Sequence, residues 1–269
     1  RRTRHLRDVL VVAEIALAFV LLVASGLLAR SFVKLLDVDP GFDAANVLTA
    51  GLPISQEQHP DPAELNVYLT SITGAVQAVP GVRVRAITSA LPLEGWGQGV
   101  AYAMPERPRV DAANRRPAFF KMVSPSYFGA LGITLREGRQ LSENDKAGAP
   151  PAAVINETMA RREFPGEGAI GPRILVREIL PGRMELGSEI AWEIVGVIAN
   201  EKITGLGDVT SAGMYVSNLQ SPTYSTNLVV KSDLPVESVR KAIQSAVNSV
   251  NRTQALSDVR TLEDLVTKS

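Results

Sequence analysis

The longest apolar stretch of the sequence runs from Val9 to Ala29, and Glu14, Ser25 and Gly26 interrupt it. At about 1.5 Å of rise per residue, a helix of this length covers roughly 30 Å, which is the thickness of the hydrocarbon layer of a membrane. Basic residues that precede such a helix are retained in the cytoplasm. Here they are Arg1, Arg2, Arg4 and Arg7. The pattern predicts a transmembrane helix, with the chain after about Asp37 outside the cytoplasm.

Two other interpretations of this stretch are a cleaved signal peptide and a buried helix of a globular protein. Signal peptides have shorter apolar cores, of about 7 to 15 residues, although Val23-Ala24-Ser25 resembles a weak cleavage site. A buried helix needs apolar surface around it, which the rest of the sequence does not offer. Glu14 is costly within a membrane, so we expect it at a contact with another helix or at the cytoplasmic interface.

The apolar pattern continues beyond the predicted membrane span. Leu27, Leu28, Phe32, Leu35 and Leu36 form a helical stripe, which predicts a short amphipathic stalk that leaves the membrane. The sequence Asp39-Pro40-Gly41 then ends the helix. Because the chain begins with Arg, we expect it to be part of a longer protein.

Two segments, one near each end of the remaining chain, predict a strand, a helix and a second strand. The first has strands at Val47–Pro53 and Val82–Thr88, with a helix that begins at Asp61 as N-cap. The second has strands at Asn227–Lys231 and Ala255–Val259, with an amphipathic helix between them. A short helix over residues 261–266 follows. Two such units predict an α+β fold with a split ferredoxin-like layer, whose halves flank an insertion.

The insertion is rich in short strands. Predicted strands are Phe119–Val123, Ala152–Ile155, Ile174–Val176, Ile190–Ile198 and Met214–Val216, and predicted short helices are Ser126–Leu131 and Glu157–Phe164. Before it, Gly95–Gly99 predicts a mobile loop that carries an exposed Trp96.

Composition excludes several classes of function. Lys+Arg and Asp+Glu are equal at 28 each, so the chain lacks the basic surface that nucleic acids require. The sequence has no cysteine, which excludes disulfides, thiolate nucleophiles and zinc-thiolate sites. It also has no Walker motif for ATP.

The remaining candidates for catalytic, cofactor or metal chemistry favour structural roles. Gly166–Gly171 matches the letters of a dinucleotide-binding loop, but a predicted helix precedes it, so we interpret it as a turn. His59 lies in a polar loop beside Asp61, and Asp61 is already needed as N-cap. Glu143 and Asp145 are interpreted as the start of a helical turn. We therefore predict no catalytic residue, no cofactor and no metal, and a protein that is not an enzyme.

Several short segments, in their order and spacing, resemble one protein family. They are Arg30–Phe32, Asp39–Asp43, Val123–Phe128, Leu131–Ile133, Glu137–Arg139, Ala153–Glu157, Phe164–Gly166 with Gly171, Glu193–Val197 and Met214–Val216. Together they resemble the extracytoplasmic core of MacB-type ABC transporter permeases, within the FtsX/MacB superfamily. The resemblance extends over almost the whole chain.

The resemblance implies a bacterial inner-membrane permease with one membrane helix, a large periplasmic domain and three further helices. The ATP site belongs to a separate nucleotide-binding domain or subunit. Implied partners are the lipid bilayer, that ABC ATPase, a second permease and a periplasmic adaptor protein. The domains expected are a cytoplasmic basic segment at 1–8, the membrane helix and stalk at 9–44, a porter-like domain at 45–115 and 218–269, and an inserted, sabre-like subdomain at 116–217.

The function expected from this resemblance is mechanotransmission. ATP-driven movement of the cytoplasmic partners would reach the periplasmic domain through the membrane helix, and would expel cargo such as antibiotics, peptides or lipoproteins. The alternative function is that of a membrane-tethered binding or scaffold module, which regulates a periplasmic partner without transport.

Overall fold

The computed structural model describes residues 13–28, 30, 38–95, 97–105 and 115–269. One of its two compact units contains a helix, α1, over residues 13–28, whose large apolar side chains are exposed. Within the described residues, no helix combines the length and the apolar character needed to span a bilayer. The basic segment at 1–8, both ends of the Val9–Ala29 stretch and the stalk residues Phe32, Leu35 and Leu36 lie outside the described residues.

The second unit, Pro40–Ser269, contains one large mixed sheet with helices packed against it. Its strands are β1 Val47–Gly51, β2 Val82–Thr88, β3 Gln98–Tyr102, β4 Arg116–Val123, β5 Leu135–Gly138, β6 Ala152–Asn156, β7 Arg173–Ile179, β8 Leu186–Ile198, β9 Gly213–Ser217, β10 Asn227–Ser232 and β11 Ser257–Thr261. Its helices are α2 Pro62–Gln77, α3 Tyr127–Ala130, α4 Glu157–Glu163, α5 Val236–Val250 and α6 Leu262–Lys268.

Both predicted strand-helix-strand units are present in this second unit. Asp61 caps α2 as predicted, because its carboxylate accepts a hydrogen bond from the Ala63 amide at 2.8 Å. The four strands of the two units are adjacent and antiparallel, in the order β11-β1-β10-β2. Apolar residues of α2 and α5 pack on this half of the sheet in one core, which includes Leu65, Ile72, Val239, Ile243 and Leu228.

The closing strand begins two residues later than predicted. The amide groups of Gln254 and Gln244 explain the shift, because they occupy the backbone at 255–256. The Gln254 side chain donates to the Ala255 carbonyl, and the Leu256 amide donates to Gln244. Pairing with β1 therefore starts at Ser257 and continues to Thr261, which caps α6.

Six of the seven strands between the two strand-helix-strand segments, all except β5, form a ring in the order β3-β4-β9-β6-β8-β7. The ring closes where Ala103, just after β3, forms a bridge with Leu175 of β7. Its interior holds a second core, which includes Tyr102, Phe120, Ile155, Trp192 and Met214. The ring joins the first half of the sheet at β2 and β4, where Thr88 pairs with Val123.

Two strands of this region were not predicted from the sequence. Gln98 and Gly99 were predicted to be part of a mobile loop, but they begin β3, which pairs along its whole length with β4. Small residues alternate with Val100 and Tyr102 in β3, so its apolar pattern is weak. The other strand, β5, is short and polar and pairs with β8 at one end of the sheet path. Trp96 lies outside the described residues.

Gly213 gives a prediction about packing in the ring. It lies opposite Phe119 across the β4–β9 pair, and a Cβ atom at this position would lie 1.9 Å from the Phe119 ring. We expect Gly213→Ala to lower the free energy of unfolding by about 1–3 kcal/mol, because the aromatic side chain of Phe119 must move to make space for the added methyl group. Chemical denaturation measures this change. Gly129→Ala is the control, because a Cβ atom there meets nothing within 4 Å, and an equal loss in both variants would contradict the prediction.

Candidate functional site

The loop of residues 199–208, which follows β8, contacts the first residues of the second compact unit. The Lys202 amide donates a hydrogen bond to the Pro40 carbonyl at 2.9 Å. One residue on, Gly41 lies against the backbone of Asn200, since a Cβ atom on Gly41 would be 1.9 Å from the Asn200 carbonyl oxygen. Phe42 is buried, and the Asp43 amide donates to the Leu131 carbonyl at 2.7 Å. The 40–43 segment is therefore fixed to the 199–208 loop.

The backbone of Gly41 explains why glycine is required there. Its φ angle is +79°, in the left-handed region that residues with a side chain rarely adopt. The close approach to Asn200 leaves no space for a side chain in any case. Pro40 and Gly41 of the breaker sequence thus form the contact with the loop.

The end of the chain contacts the same loop. The Leu206 amide donates a hydrogen bond to the Ser269 hydroxyl at 3.2 Å, just after α6. Leu206 and Ile203 are both buried, which fixes this part of the loop to the domain. The segment before β3 is also attached, because the Gly95 amide donates to the Ile203 carbonyl at 2.8 Å. Residues from three distant parts of the sequence thus meet at the 199–208 loop.

Glu201 anchors the loop inside the domain. Its carboxylate forms an ion pair with Lys121 of β4 at 2.8 Å, and both side chains are 0% exposed. It also accepts hydrogen bonds from the hydroxyl of Tyr215 in β9 at 2.7 Å and from that of Tyr127 in α3 at 2.9 Å. We call Lys121, Tyr127, Glu201 and Tyr215 the buried cluster. It connects the loop directly to two neighbouring strands of the ring.

Burial governs the titration of the buried cluster. Burial lowers the pKa of Lys121, and the charge of Glu201 opposes this shift. Burial and the same negative charge raise the pKa of Tyr127 and of Tyr215 well above the usual value. Both hydroxyls therefore stay protonated and donate to Glu201. The Glu201 carboxylate thus accepts from three donors, which hold the loop against the ring of strands.

The residues that the sequence offers as candidates for cofactor binding, metal binding or acid–base catalysis are dispersed in the structure. His59 stacks on Tyr68 with ring centroids 4.2 Å apart. Gly166–Gly171 forms turns between α4 and β7, as interpreted. Asp145 is buried and binds Arg139 through two hydrogen bonds of 2.8 and 2.9 Å, a structural role that the sequence did not indicate. In the described part of the chain, no three His, Cys, Asp or Glu side chains are grouped closely enough to hold a metal ion.

Asp43, next to the loop contact, gives a prediction about pH. Its carboxylate accepts a hydrogen bond from Lys231, which together with the Ala45 amide lowers the pKa of Asp43. A lowered pKa in the folded state stabilises the fold above the unfolded pKa of about 3.9, and this contribution is lost as the pH falls through the folded value. We expect Lys231→Gln to raise the pKa of Asp43, as measured by NMR titration of its carboxyl carbon.

The control for that titration is Lys241→Gln, which removes an exposed lysine of α5 with no contact to Asp43. It should leave the Asp43 titration unchanged. An Asp43 pKa that is the same in the Lys231→Gln variant as in the natural sequence would show that the ion pair does not form in solution.

The fold resembles those of two solved domains of ABC-type transporters, one periplasmic and one extracellular. The crystal structure of the periplasmic region of MacB from Actinobacillus actinomycetemcomitans aligns with a TM-score of 0.54 and 13% identity, over 87% of this chain and 97% of that chain. The extracellular domain of the noncanonic ABC-type transporter YknZ from Gram-positive bacteria aligns with a TM-score of 0.50 and 16% identity, over 80% of this chain and 100% of that chain. No curated protein matches the sequence.

The family follows from the sequence itself. Residues 10–246 match the model of the MacB-like periplasmic core domain, which is most of the chain. The chain therefore belongs to the MacB-like periplasmic core domain family, which occurs in ABC transporter permeases. This confirms the resemblance on which the functional expectation rests.

Proposed function

We propose that this chain couples ATP hydrolysis in the cytoplasm to a conformational change outside it, and that the change expels cargo such as antibiotics, peptides or lipoproteins. The MacB-like family supports the setting, that of an ABC transporter permease. The observation that carries the proposal is the 199–208 loop, which contacts both Pro40 and Ser269. A movement of either segment would act on this loop first.

The buried cluster supports the next step of the proposed path. Glu201 lies in the middle of the loop, and its partners Lys121 and Tyr215 are on β4 and β9 of the ring. Separation of the buried Lys121–Glu201 ion pair would cost several kcal/mol, because no water would replace the lost contact. The loop and these strands therefore move together rather than separately. The ring of Phe128 packs edge-on against Tyr215 of the cluster, with ring centroids 5.3 Å apart, and this contact resists opening of the cluster.

The proposed input is a membrane helix formed by the Val9–Ala29 stretch, which continues as a stalk toward Pro40. Its support is the length, apolar composition and basic flank of that stretch. In this proposal the chain is held in a bacterial inner membrane, pairs with an ABC ATPase and a second permease, and contacts a periplasmic adaptor. Its role is mechanical, so it is not an enzyme.

The proposed output is a tilt of the ring relative to the helix-covered layer. We assign that layer to a split ferredoxin-like fold, which the antiparallel order β11-β1-β10-β2 and the two crossover helices α2 and α5 support. The junction between layer and ring supports the tilt. There, β2 and β4 form the single ladder pair Thr88 and Val123, with backbone hydrogen bonds from Ser89 to Met122 and from Ser124 to Ile87 beside it, whereas β10 and β2 pair along six residues.

Two insertions of equal length after Ser31 test the proposed coupling. Four alanines add about one turn and keep the helix continuous, whereas Gly-Pro-Gly-Gly adds the same number of residues and breaks it. With the intact permease and its ATPase in proteoliposomes, we expect the alanine insertion to retain ATP-driven transport and the Gly-Pro-Gly-Gly insertion to abolish it. Both variants must assemble with the ATPase. Equal transport by the two variants would overturn the proposal.

A further inference from the structure

The chain passes from the helix-covered layer to the ring through the segment that connects β2 to β3. Leu93 lies in this connection, and its φ angle is +66°. In the described part of the chain, the other two non-glycine residues at positive φ are Asn46 and Asp258. Asparagine and aspartate tolerate this conformation, whereas a bulky residue such as leucine is strained in it. Leu93 is therefore the residue whose backbone departs most from what its type prefers.

A tight turn places Leu93 in this conformation. Pro92 and Leu93 are the two central residues of the turn. With proline at the first central position, a positive φ at the second is typical of a type II turn, where glycine or asparagine is the usual residue. Leucine breaks this local rule, although its side chain is buried at 9% exposure. Natural sequences break such rules mainly at strained or functional positions.

Two hydrogen bonds to the 199–208 loop hold Leu93 in the strained conformation. The Leu93 amide donates to the Lys202 carbonyl at 3.2 Å, and the Gly95 amide donates to the Ile203 carbonyl at 2.8 Å. The φ angle of Leu93 sets the direction of the chain between these two amides. A large change of φ would therefore reorient one amide and break its bond to the loop.

The residues before Leu93 have less freedom to rotate. Ser89 belongs to the junction between the layer and the ring, because its amide donates to β4 at 2.9 Å. The Ala90 carbonyl accepts a hydrogen bond from the Thr88 hydroxyl at 2.8 Å. The proline of the turn has a fixed φ angle, and it restricts Leu91 before it to an extended conformation. The residue after the proline is thus the first in the connection with a lower-energy φ region still available.

We propose that Leu93 is the hinge residue that takes up the tilt of the ring, an inference that rests on the proposed function. The tilt carries the loop and Gly95 along with the ring, whereas Pro92 stays with β2. The bond between Leu93 and Lys202 then breaks, and Leu93 rotates to a negative φ. Relief of the strain offsets the lost hydrogen bond, because the two free energies are of similar size. The hinge therefore favours the tilt instead of resisting it.

Paired substitutions of Leu93 test the strain. Leu93→Gly and Leu93→Ala both remove the apolar side chain, but only glycine adopts a positive φ without strain. In the full chain we expect Leu93→Gly to unfold about 2–4 °C above Leu93→Ala, as measured by circular dichroism. A glycine variant that is no more stable than the alanine variant would overturn the proposal.

Leu91 is the matched control for the strain. It is also buried, and it lies in an extended conformation before Pro92. Here the order of the two variants should reverse, so that Leu91→Gly unfolds below Leu91→Ala, because glycine at such a position only adds entropy to the unfolded chain. The same order at both positions would show that the effect at Leu93 does not come from its φ angle, and would overturn the proposal.

A distance measurement on the permease assembled with its ATPase tests the hinge itself. Spin labels at Val67→Cys on α2 and Met184→Cys beside β8, both exposed, report the ratio of tilted to resting molecules. With ATP, we expect this ratio to be at least about fivefold lower in Leu93→Gly than in Leu93→Ala, because the strain that favours the tilt is absent. A merely structural role of the side chain would change both variants alike.

A second pair of variants serves if truncation of Leu93 prevents folding. Leu93→Asn and Leu93→Met have side chains of nearly natural size, and only asparagine tolerates a positive φ. The ratio of tilted to resting molecules should again be at least about fivefold lower in Leu93→Asn than in Leu93→Met. Leu93→Met should behave like the natural hinge.

The doubly labelled chain with the natural Leu93 separates this inference from the proposed function. If ATP does not shift the distance in that chain, the proposed function is refuted and the inference with it. If ATP shifts the distance there, but the ratio is equal in Leu93→Gly and Leu93→Ala, the inference alone is overturned. Leu91→Gly and Leu91→Ala should give equal ratios, and a difference as large as that at Leu93 would also overturn it.

Discussion

Replacement of Lys121 by methionine is expected to lower the free energy of unfolding by about 3–5 kcal/mol. Lys121 and Glu201 are both 0% exposed, so removal of the lysine leaves a buried carboxylate without its counter-charge. The hydroxyls of Tyr127 and Tyr215 still donate to Glu201, but they do not neutralise it. Urea denaturation of the chain, followed by circular dichroism, measures the change.

A double variant distinguishes an unpaired charge from a simple loss of packing. Lys121→Met with Glu201→Gln removes both charges. The glutamine keeps one acceptor oxygen for one tyrosine hydroxyl, and its NH2 group can donate to the other hydroxyl, so we expect the variant to recover stability to within about 2 kcal/mol of the natural chain. The exposed pair of Arg83 and Asp233 is the control, with side chains 60% and 62% exposed. Arg83→Met should cost less than about 1 kcal/mol. A double variant less stable than Lys121→Met would contradict the interpretation.

Gly41→Ala is expected to reduce ATP-driven transport by about tenfold or more, the equivalent of at least about 1.4 kcal/mol of lost coupling. The added methyl group overlaps the carbonyl oxygen of Asn200, at 1.9 Å, so the 40–43 segment must leave the 199–208 loop. The domain itself should remain folded, because its two cores do not include this contact. Transport in proteoliposomes, alongside the thermal unfolding midpoint, measures both effects.

Gly166→Ala is a matched control for this variant. Gly166 has the same φ angle of +79°, but a Cβ atom there meets nothing within 4 Å. Both substitutions therefore introduce the same backbone strain, of about 1–2 kcal/mol, and only one separates the segment from the loop. Normal transport by Gly41→Ala, or an equal defect in Gly166→Ala, would contradict a role of this contact in coupling.

The two strand-helix-strand units could be predicted from the sequence because their signals are local. Asp61-Pro62 marks a helix start, and the apolar stripes of α2 and α5 have helical spacing. The alternating β2 strand is equally clear. The strand β3 lacks such a signal, since Gly99 and Ala101 are small and its order depends on pairing with β4.

The candidate site was beyond prediction because its members are far apart in the sequence. Glu201 lies 80 residues from Lys121, and a loop carboxylate of this kind usually predicts exposure to solvent. Tyr127 and Tyr215 are within segments that resemble the family, but their hydroxyls meet Glu201 only in the folded domain. The sequence does indicate one part of the site, the breaker at Pro40-Gly41, although its contact with Asn200 does not follow from it.

The central claim is that force enters the domain through the 199–208 loop and moves the ring relative to the helix-covered layer. Because the sequence has no cysteine, spin labels can be placed at Val67→Cys on α2 and Met184→Cys beside β8, where both native side chains are exposed. Electron–electron distance measurements on the permease assembled with its ATPase then follow the movement. We predict that ATP shifts the distance in the otherwise natural chain and that Gly41→Ala abolishes the shift. An unchanged distance on addition of ATP, or the same shift in the Gly41→Ala variant, would contradict the account.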